Sequence, residues 1–194
     1  MRWQLGLIAI LILTSCSVFS PVQVNPPTKY VVNTVPYVSA KIPHHLSLYV
    51  SMPTTNSVYS TSQMVYSIHP YQVAYFVKNT WAATPAEMLQ SLMVQTIQNS
   101  HYYNLVTYSP TANQVNLILN TQLLEFKQDF SRHPSVFRLE LRAQLLNANT
   151  GKVIAAKDII VSEPAPENTP YGGVVAANKA VEKALSQLLK LINK

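Results

Sequence analysis

The amino-acid sequence predicts an α+β fold: a two-layer domain with a mainly antiparallel sheet and two long helices on one face. Residues 137–145 alternate apolar side chains with charged or amide side chains, which is typical of a half-buried antiparallel strand. Two other segments carry apolar residues at three- and four-residue spacings, which is typical of amphipathic helices. Because each kind of element has one apolar face, we expect the helices to cover the sheet.

The N-terminal half is predicted to form short strands separated by proline and polar residues. β-Branched and aromatic residues are enriched in these segments, and Pro36, Pro43 and Pro53 interrupt them. Residues 53–63, PTTNSVYSTSQ, are predicted to be a polar loop. The predicted strands are Lys29–Val35, Leu46–Met52, Met64–Ile68 and Val73–Val77.

A first long helix is predicted to begin after Thr84. Threonine is a favourable N-cap, Pro85 suits the first helical position, and Glu87 completes a capping box. The helix should end near 99–101. Its apolar stripe, which must pack on something, consists of Met88, Leu89, Leu92, Met93 and Ile97.

Three further strands and a second helix are predicted in the C-terminal half. Strand signals cover Leu105–Tyr108, Val115–Phe126 and Val153–Val161, and the turn Asn147–Gly151 precedes the last of them. After the proline-rich stretch EPAPENTP, a helix presents one apolar face: Ala177, Ala180, Val181, Ala184, Leu185, Leu188 and Ile192. Its lysine face is either a solvated surface or a contact with anionic lipid: Lys179, Lys183, Lys190 and Lys194.

The first sixteen residues have the layout of a bacterial lipoprotein signal. Arg2 precedes an apolar run, Leu5–Leu13, and a small-residue stretch ends at Cys16. The run is shorter than the about 20 residues that cross a bilayer. The stretch LTSC resembles the lipobox, which implies lipid attachment at Cys16, the only cysteine of the chain. The alternative is an ordinary secreted protein in which this cysteine is incidental.

These features divide the chain into three parts. Residues 1–15 are predicted to be a signal peptide, 16–28 a lipid-anchored linker that contains three prolines, and 29–194 a single domain. The residue after the cysteine is Ser17 rather than the aspartate that retains lipoproteins at the inner membrane in well-studied Gram-negative species. We therefore expect the outer membrane, with the domain on its periplasmic face.

The sequence predicts no catalytic site, metal site or cofactor. It has no G-x-S-x-G elbow, and its eight carboxylates are spread along the chain. His44 and His45 are adjacent, while the other histidines stand alone, so metal-ligand spacing is missing. The net charge of +6 is scattered, and a periplasmic location excludes nucleic acid. A binding role is expected instead of an enzymatic one.

Aromatic residues are dense between Tyr59 and Trp81, where they suit a sheet core or a protein interface equally. Because binding residues are common on loops, we predict a partner surface on the loop 53–63 and on a tight turn at 169–173, or else these are ordinary exposed loops. Tyr59 and Tyr171 would be its anchors. The candidate partner-binding residues are Tyr59, Tyr66, Tyr71, Trp81, Tyr171, Gly172 and Gly173.

Three blocks of the chain resemble the ABC-type transport auxiliary lipoproteins, a family that includes the outer-membrane lipoprotein of the Pqi system. The block PYQVAYFVKNTWAATPAEML, residues 70–89, is similar to the central block of that family. Residues 128–145, QDFSRHPSVFRLELRAQL, and 167–181, ENTPYGGVVAANKAV, are similar to its later blocks. The chain departs from the family at 59–63, where YSTSQ replaces a stretch that often carries a charge.

The resemblance implies a non-catalytic accessory component of an intermembrane lipid transport system. The implied partners are an MCE-domain protein, ABC transporter components and the outer membrane, the last through acyl chains such as palmitate. A homo-oligomer is also expected. The alternative function is that of an assembly or secretion-system lipoprotein with a TolB-like α+β domain, and neighbouring genes would distinguish the two.

Overall fold

A computed structural model describes residues 25–38, 44–109 and 115–193. The predicted signal peptide, Cys16 and most of the predicted linker lie outside the described residues. The elements, in chain order, are β1 (Thr28–Tyr30), β2 (His44–Val50), β3 (Thr54–Thr55), β4 (Gln63–Ser67), β5 (Ala74–Trp81), α1 (Pro85–Asn99), β6 (Tyr103–Thr107), β7 (Leu117–Asp129), β8 (Val136–Asn147), β9 (Val153–Pro164) and α2 (Pro170–Ile192).

The sheet is mixed, so the prediction of a mainly antiparallel sheet is wrong. β7 lies at its centre and pairs along one edge with β8, which pairs in turn with β9; both pairings are antiparallel. Along the other edge of β7, the short strands β2, β3 and β4 pair with it one after another, all in parallel. β6 extends the sheet beyond β2 in parallel.

The parallel pairings have a simple cause. β7 is thirteen residues long, whereas β2, β3 and β4 have seven, two and five residues. The chain from β2 to β4 runs along β7 without reversing its direction. The three short strands therefore pair with successive parts of the same edge of β7, all in parallel. The pattern of residues within a strand predicts which face is buried but not which strand is its neighbour.

Helix α1 forms as the sequence predicts. The Thr84 side chain accepts a hydrogen bond from the Glu87 backbone, and the Glu87 carboxylate accepts one from the Thr84 backbone at 2.9 Å. These bonds satisfy donors that would otherwise lack partners at the helix start. The whole predicted apolar stripe of α1 is buried and joins one core cluster with side chains of the sheet, such as Leu48 and Val50.

Helix α2 packs against β8 and β9 with the apolar face that the sequence predicts. It begins at Pro170 after the N-cap Thr169, so the predicted tight turn at 169–173 is wrong: Gly172 and Gly173 lie in the first turn of the helix. The Lys183 ammonium pairs with the Glu163 carboxylate on β9, and Lys179 and Lys190 are exposed.

The N-terminal segment, 25–38, is fixed to the domain. β1 pairs in parallel with the end of β5, with Thr28 beside Asn79 and Tyr30 beside Trp81. The chain then follows α2, where the Asn178 side-chain oxygen accepts hydrogen bonds from the Asn33 backbone at 3.0 Å and the Thr34 hydroxyl at 2.9 Å. β1 is therefore the first part of the described N-terminal segment that pairs with the sheet.

Candidate partner-binding surfaces

The loop containing Tyr59 is folded onto the sheet. β3 and a 3-10 turn at Ser57–Tyr59 lie within residues 53–63, and only 6% of Tyr59 is exposed. Burial, with the nearby Glu125 charge, raises the pKa of the Tyr59 hydroxyl to about 12, although that hydroxyl also makes a hydrogen bond with the Phe126 backbone. The expectation that Tyr59 is an exposed anchor is wrong, because its ring is needed by the core.

Trp81 is also a core residue. Its indole is 2% exposed and packs against Phe126 and Phe137, with ring centroids 5.4 Å and 6.4 Å away. Such tilted and edge-to-face contacts are favourable between buried rings. The aromatic density in the sequence is therefore partly explained by the core, and Trp81 has no exposed surface to offer to a partner.

Gly172 and Gly173 serve close packing at the start of α2. A Cβ on Gly173 would lie 2.1 Å from the Gln128 side-chain oxygen, and a Cβ on Gly172 would lie 2.1 Å from the Glu167 backbone oxygen. The Gln128 amide is buried and donates to the Ser135 hydroxyl at 2.9 Å and to the Thr169 carbonyl at 3.1 Å. These glycines let β7 and the helix start approach each other.

Tyr66 is half-buried in a small aromatic cluster at one end of the sheet. Its ring centroid lies 4.5 Å from that of Phe76 and 5.9 Å from that of Phe130. The cluster joins β4 and β5 to the turn that follows β7. Beyond it, Tyr71 is fully exposed in the turn between β4 and β5, with a backbone φ of 65°.

Tyr171 is the other exposed tyrosine among the sequence candidates. It is 59% exposed on the first turn of α2, and its ring lies 6.2 Å from that of Tyr30. A shallow depression of about 320 Å³ continues from Tyr171 along α2, bounded by the N-terminal segment. Lys179 and Glu182 are among the residues that line it. It combines a fixed aromatic ring with charges of both signs, as protein interfaces commonly do.

A larger depression, of about 530 Å³, lies over β7 and β8 and is lined by Asn120, Gln122, Arg142 and Gln144. The Arg142 guanidinium there is engaged by Asp158, with two nitrogen–oxygen distances of 2.8 Å and 3.1 Å. The pairing lowers the pKa of the Asp158 carboxyl, chiefly through the hydrogen bond. The charged residue that lines this depression is therefore already paired within the domain.

One ion-pair group braces the neighbouring part of the sheet. The Glu125 carboxylate accepts from Lys127 and from Arg138, each at 2.8 Å. Burial opposes its ionisation, but the two cations outweigh burial and lower the pKa of the Glu125 carboxyl. The group joins β7 to β8 at a bulge in β7, where the register shifts between Leu123 and Glu125. Its role is structural.

Two features of the described ranges bear on the kind of site. In residues 25–38, 44–109 and 115–193, no three His, Cys, Asp or Glu side chains come together as metal ligands would. Neither helix in this part of the chain is long and apolar enough to span a bilayer.

Sequence reasoning missed the exposed apolar side chains around Tyr71. The sequence predicts strands that include Ile68, Val73 and Val77 but does not say which of these side chains are exposed, and Val77 is 90% exposed. The signal that could have indicated this surface is charge: residues 63–81 contain one charged residue, Lys78, and no carboxylate.

Of the sequence candidates, Tyr71 and Tyr171 are thus the exposed ones. The model of the family described as the ABC-type transport auxiliary lipoprotein component matches residues 33–192. The chain belongs to this family, as the resemblance of its sequence blocks predicts. No curated protein matches the chain.

Solved structures share the fold. A crystal structure of a Xanthomonas campestris protein is similar with a TM-score of 0.76 and 18% identity, covering 84% of this chain and 92% of that one. A second crystal structure, of an uncharacterized protein, is similar with a TM-score of 0.68 and 12% identity, covering 86% and 98%. At these identities the likeness concerns the fold alone.

Proposed function

We propose that this chain is a non-catalytic accessory component of an MCE/ABC-type intermembrane lipid transport system. The observation that carries the proposal is the match over 33–192 to the family described as the ABC-type transport auxiliary lipoprotein component. The exposed, fixed side chain of Tyr171 supports a role in binding, since tyrosine is frequent at binding hot spots.

The proposed location is the periplasmic face of the outer membrane, where acyl chains on Cys16 hold the protein. The lipobox-like stretch before Cys16 and the serine after it support this placement. Two or three acyl chains anchor a protein stably, whereas one chain is marginal. A homo-oligomer is also proposed, because within the described residues the twelve-residue strand β9 pairs only with β8 and so has a free edge.

The proposed contact with the MCE-domain protein or ABC transporter components is the depression beside Tyr171. Of the other sequence candidates, Tyr59 and Trp81 are buried and the two glycines pack inside the domain. Tyr171 is the candidate that combines exposure with a place on a regular element, which makes it a rigid anchor.

Co-purification tests this function. Tagged full-length protein, expressed with its native partners, should retain the MCE-domain protein, and Tyr171→Ala should lose most of it. Tyr37→Ala is the matched control, because Tyr37 is 95% exposed on the N-terminal segment. Failure of the unaltered protein to retain any transporter component contradicts the function. Equal retention by Tyr171→Ala contradicts only the location of the contact.

A further inference from the structure

Exposed apolar side chains are concentrated on the hairpin formed by β4, β5 and the turn 68–73. We call these residues the hairpin patch: Ile68, Tyr71, Val73, Tyr75 and Val77. Exposed apolar residues scattered singly are ordinary on a protein surface, but a group on one projecting element indicates an interaction. The hairpin carries one charged residue, Lys78, and no carboxylate.

The hairpin patch stands on a rigid base. The aromatic cluster of Tyr66, Phe76 and Phe130 fixes the hairpin to the sheet. In the turn, the Gln72 backbone N–H donates to the His69 carbonyl at 3.3 Å. Tyr71 has a backbone φ of 65°, a conformation that residues other than glycine rarely adopt, and its side chain makes no use of the core. An uncommon backbone conformation that leaves a tyrosine fully exposed suits a contact outside the domain.

The course of the N-terminal segment shows which way the hairpin faces. β1 runs parallel to β5, with Thr28 beside Asn79. The chain before Thr28 therefore approaches from the end of β5 at which the hairpin turn lies. Residues 25–27 are exposed there. Residue 25, from which the chain continues towards Cys16, thus lies on the same side of the domain as the hairpin patch.

The charges beside the hairpin turn are of both signs. The turn after β7 lies beside the hairpin turn, because the Phe130 backbone N–H donates to the Ser67 carbonyl at 2.8 Å. Arg132 in this turn is positively charged and Asp129 beside it is negatively charged. The Asp129 carboxylate already accepts from the Ser131 backbone at 2.9 Å.

We propose that the hairpin patch contacts the phospholipid bilayer in which the acyl chains of Cys16 are embedded. The inference depends on the proposed lipid anchor. From Cys16 to Thr28 the chain can extend at most about 40 Å, and the hairpin turn precedes Asn79 by at most about 20 Å of strand. The hairpin turn can therefore reach the bilayer before the linker of residues 16–28 is fully extended. Tyrosine and short apolar side chains near lysine suit the headgroup region.

Fluorescence from a single labelled position tests the contact. The full-length lipidated protein carrying Tyr71→Cys is labelled with an environment-sensitive fluorophore and reconstituted into phosphatidylethanolamine–phosphatidylglycerol vesicles that contain nitroxide-labelled lipid. Acylation occupies Cys16, the only native cysteine, so the new thiol is the one that reacts. Val77→Cys provides a second position on the patch. Asn149→Cys is the control, because the turn after β8 lies at the opposite end of β7.

The expected result is blue-shifted emission and several-fold stronger nitroxide quenching at positions 71 and 77 than at 149. If the protein floats with the vesicles but all three labels emit as in water, the proposed contact of the hairpin patch with the bilayer is wrong. The proposed lipid anchor at Cys16 is then retained. If the protein does not float, both the anchor and the contact are wrong. If the labels at 71 and 77 become shielded only on addition of transporter components and escape the nitroxide lipid, the patch binds protein and the bilayer contact is wrong.

Discussion

At the scale of single residues, the domain is held by close approaches that leave no space for additional atoms. Gly173 is the sharpest example, because the Gln128 side-chain oxygen occupies the position that a Cβ would take. Gln128 cannot move away freely, since its amide nitrogen is bound by Ser135 and Thr169. A single methyl group at this point must displace a buried and hydrogen-bonded side chain.

Gly173→Ala should therefore lower the free energy of unfolding by about 1–3 kcal/mol, the usual cost of overpacking. Denaturant unfolding measures it. In the background of Gln128→Ala the same change should cost much less, because the clash is gone. Gly172→Ala is the matched control: its clash is with the Glu167 backbone, so Gln128→Ala should not relieve it. Equal costs of Gly173→Ala in both backgrounds would show that Gln128 is not the obstacle.

Glu125 gives a prediction about pH. Its folded-state pKa is lowered below the ordinary 4.5, so its stabilising contribution is complete above pH 4.5 and is lost as the pH falls through the lowered value. Glu125→Gln should destabilise the domain by about 1–2 kcal/mol at neutral pH, since hydrogen bonds to a charged group become bonds to a neutral one.

The difference in free energy of unfolding between the unaltered protein and Glu125→Gln should narrow at pH values below 4.5. Asp158→Asn is the control, because the pair that it breaks is exposed and screened by solvent. A difference for Glu125→Gln that is independent of pH would mean that the carboxylate charge contributes nothing and that only shape matters.

At the scale of elements, α1 tests whether the apolar stripe is part of the core. Leu92→Ala should cost about 2–5 kcal/mol, the range for a buried leucine whose cavity only partly collapses, because Leu92 is 6% exposed. Gln95→Ala, on the exposed side of the same helix, should change stability by about 0.5 kcal/mol or less. Similar thermal melting of the two variants would mean that the stripe does not pack in the isolated domain.

The sequence predicts correctly those features that depend only on residues close together along the chain. The cap at Thr84, the apolar faces of both helices and the alternation in β8 all depend on neighbours along the chain, and the structure has them as predicted. The structure also contains the strands predicted in the N-terminal half, but their ends differ from the predicted ones. The strand predicted at Lys29–Val35 ends at Tyr30, because the residues that follow bind α2.

What the sequence could not provide depends on contacts between distant segments. The direction in which β2, β3 and β4 pair with β7 is set by the path of the chain, not by any local pattern. Tyr59 looked like a loop residue because its neighbours are polar, yet the 3-10 turn buries its ring. Gly172 and Gly173 looked like a turn because the groups that require glycine there, the Glu167 backbone and the Gln128 side chain, approach only in the folded structure.

At the scale of the whole molecule, the features of one end form a consistent arrangement. The N-terminal chain, the hairpin patch and the turn after β7 lie towards the same end, whereas Tyr171 lies beside Tyr30, which pairs with the other end of β5. In the proposed account, the acyl chains and the hairpin fix the distance and orientation of the domain at the membrane, and the depression beside Tyr171 remains at its side for a transporter component. Anchoring through Cys16 is the claim on which the other parts depend.

Replacement of the lipidated cysteine tests this claim most directly. Cells that express the full-length protein or Cys16→Ala are labelled with radioactive palmitate, and their membranes are fractionated, with Ser17→Ala as the control. The unaltered protein and Ser17→Ala should be labelled and found in the outer membrane. Cys16→Ala should be unlabelled and absent from that fraction, while its domain melts at the same temperature because the predicted linker separates residue 16 from the domain. A Cys16→Ala protein that is still labelled and still bound to the outer membrane would contradict the account.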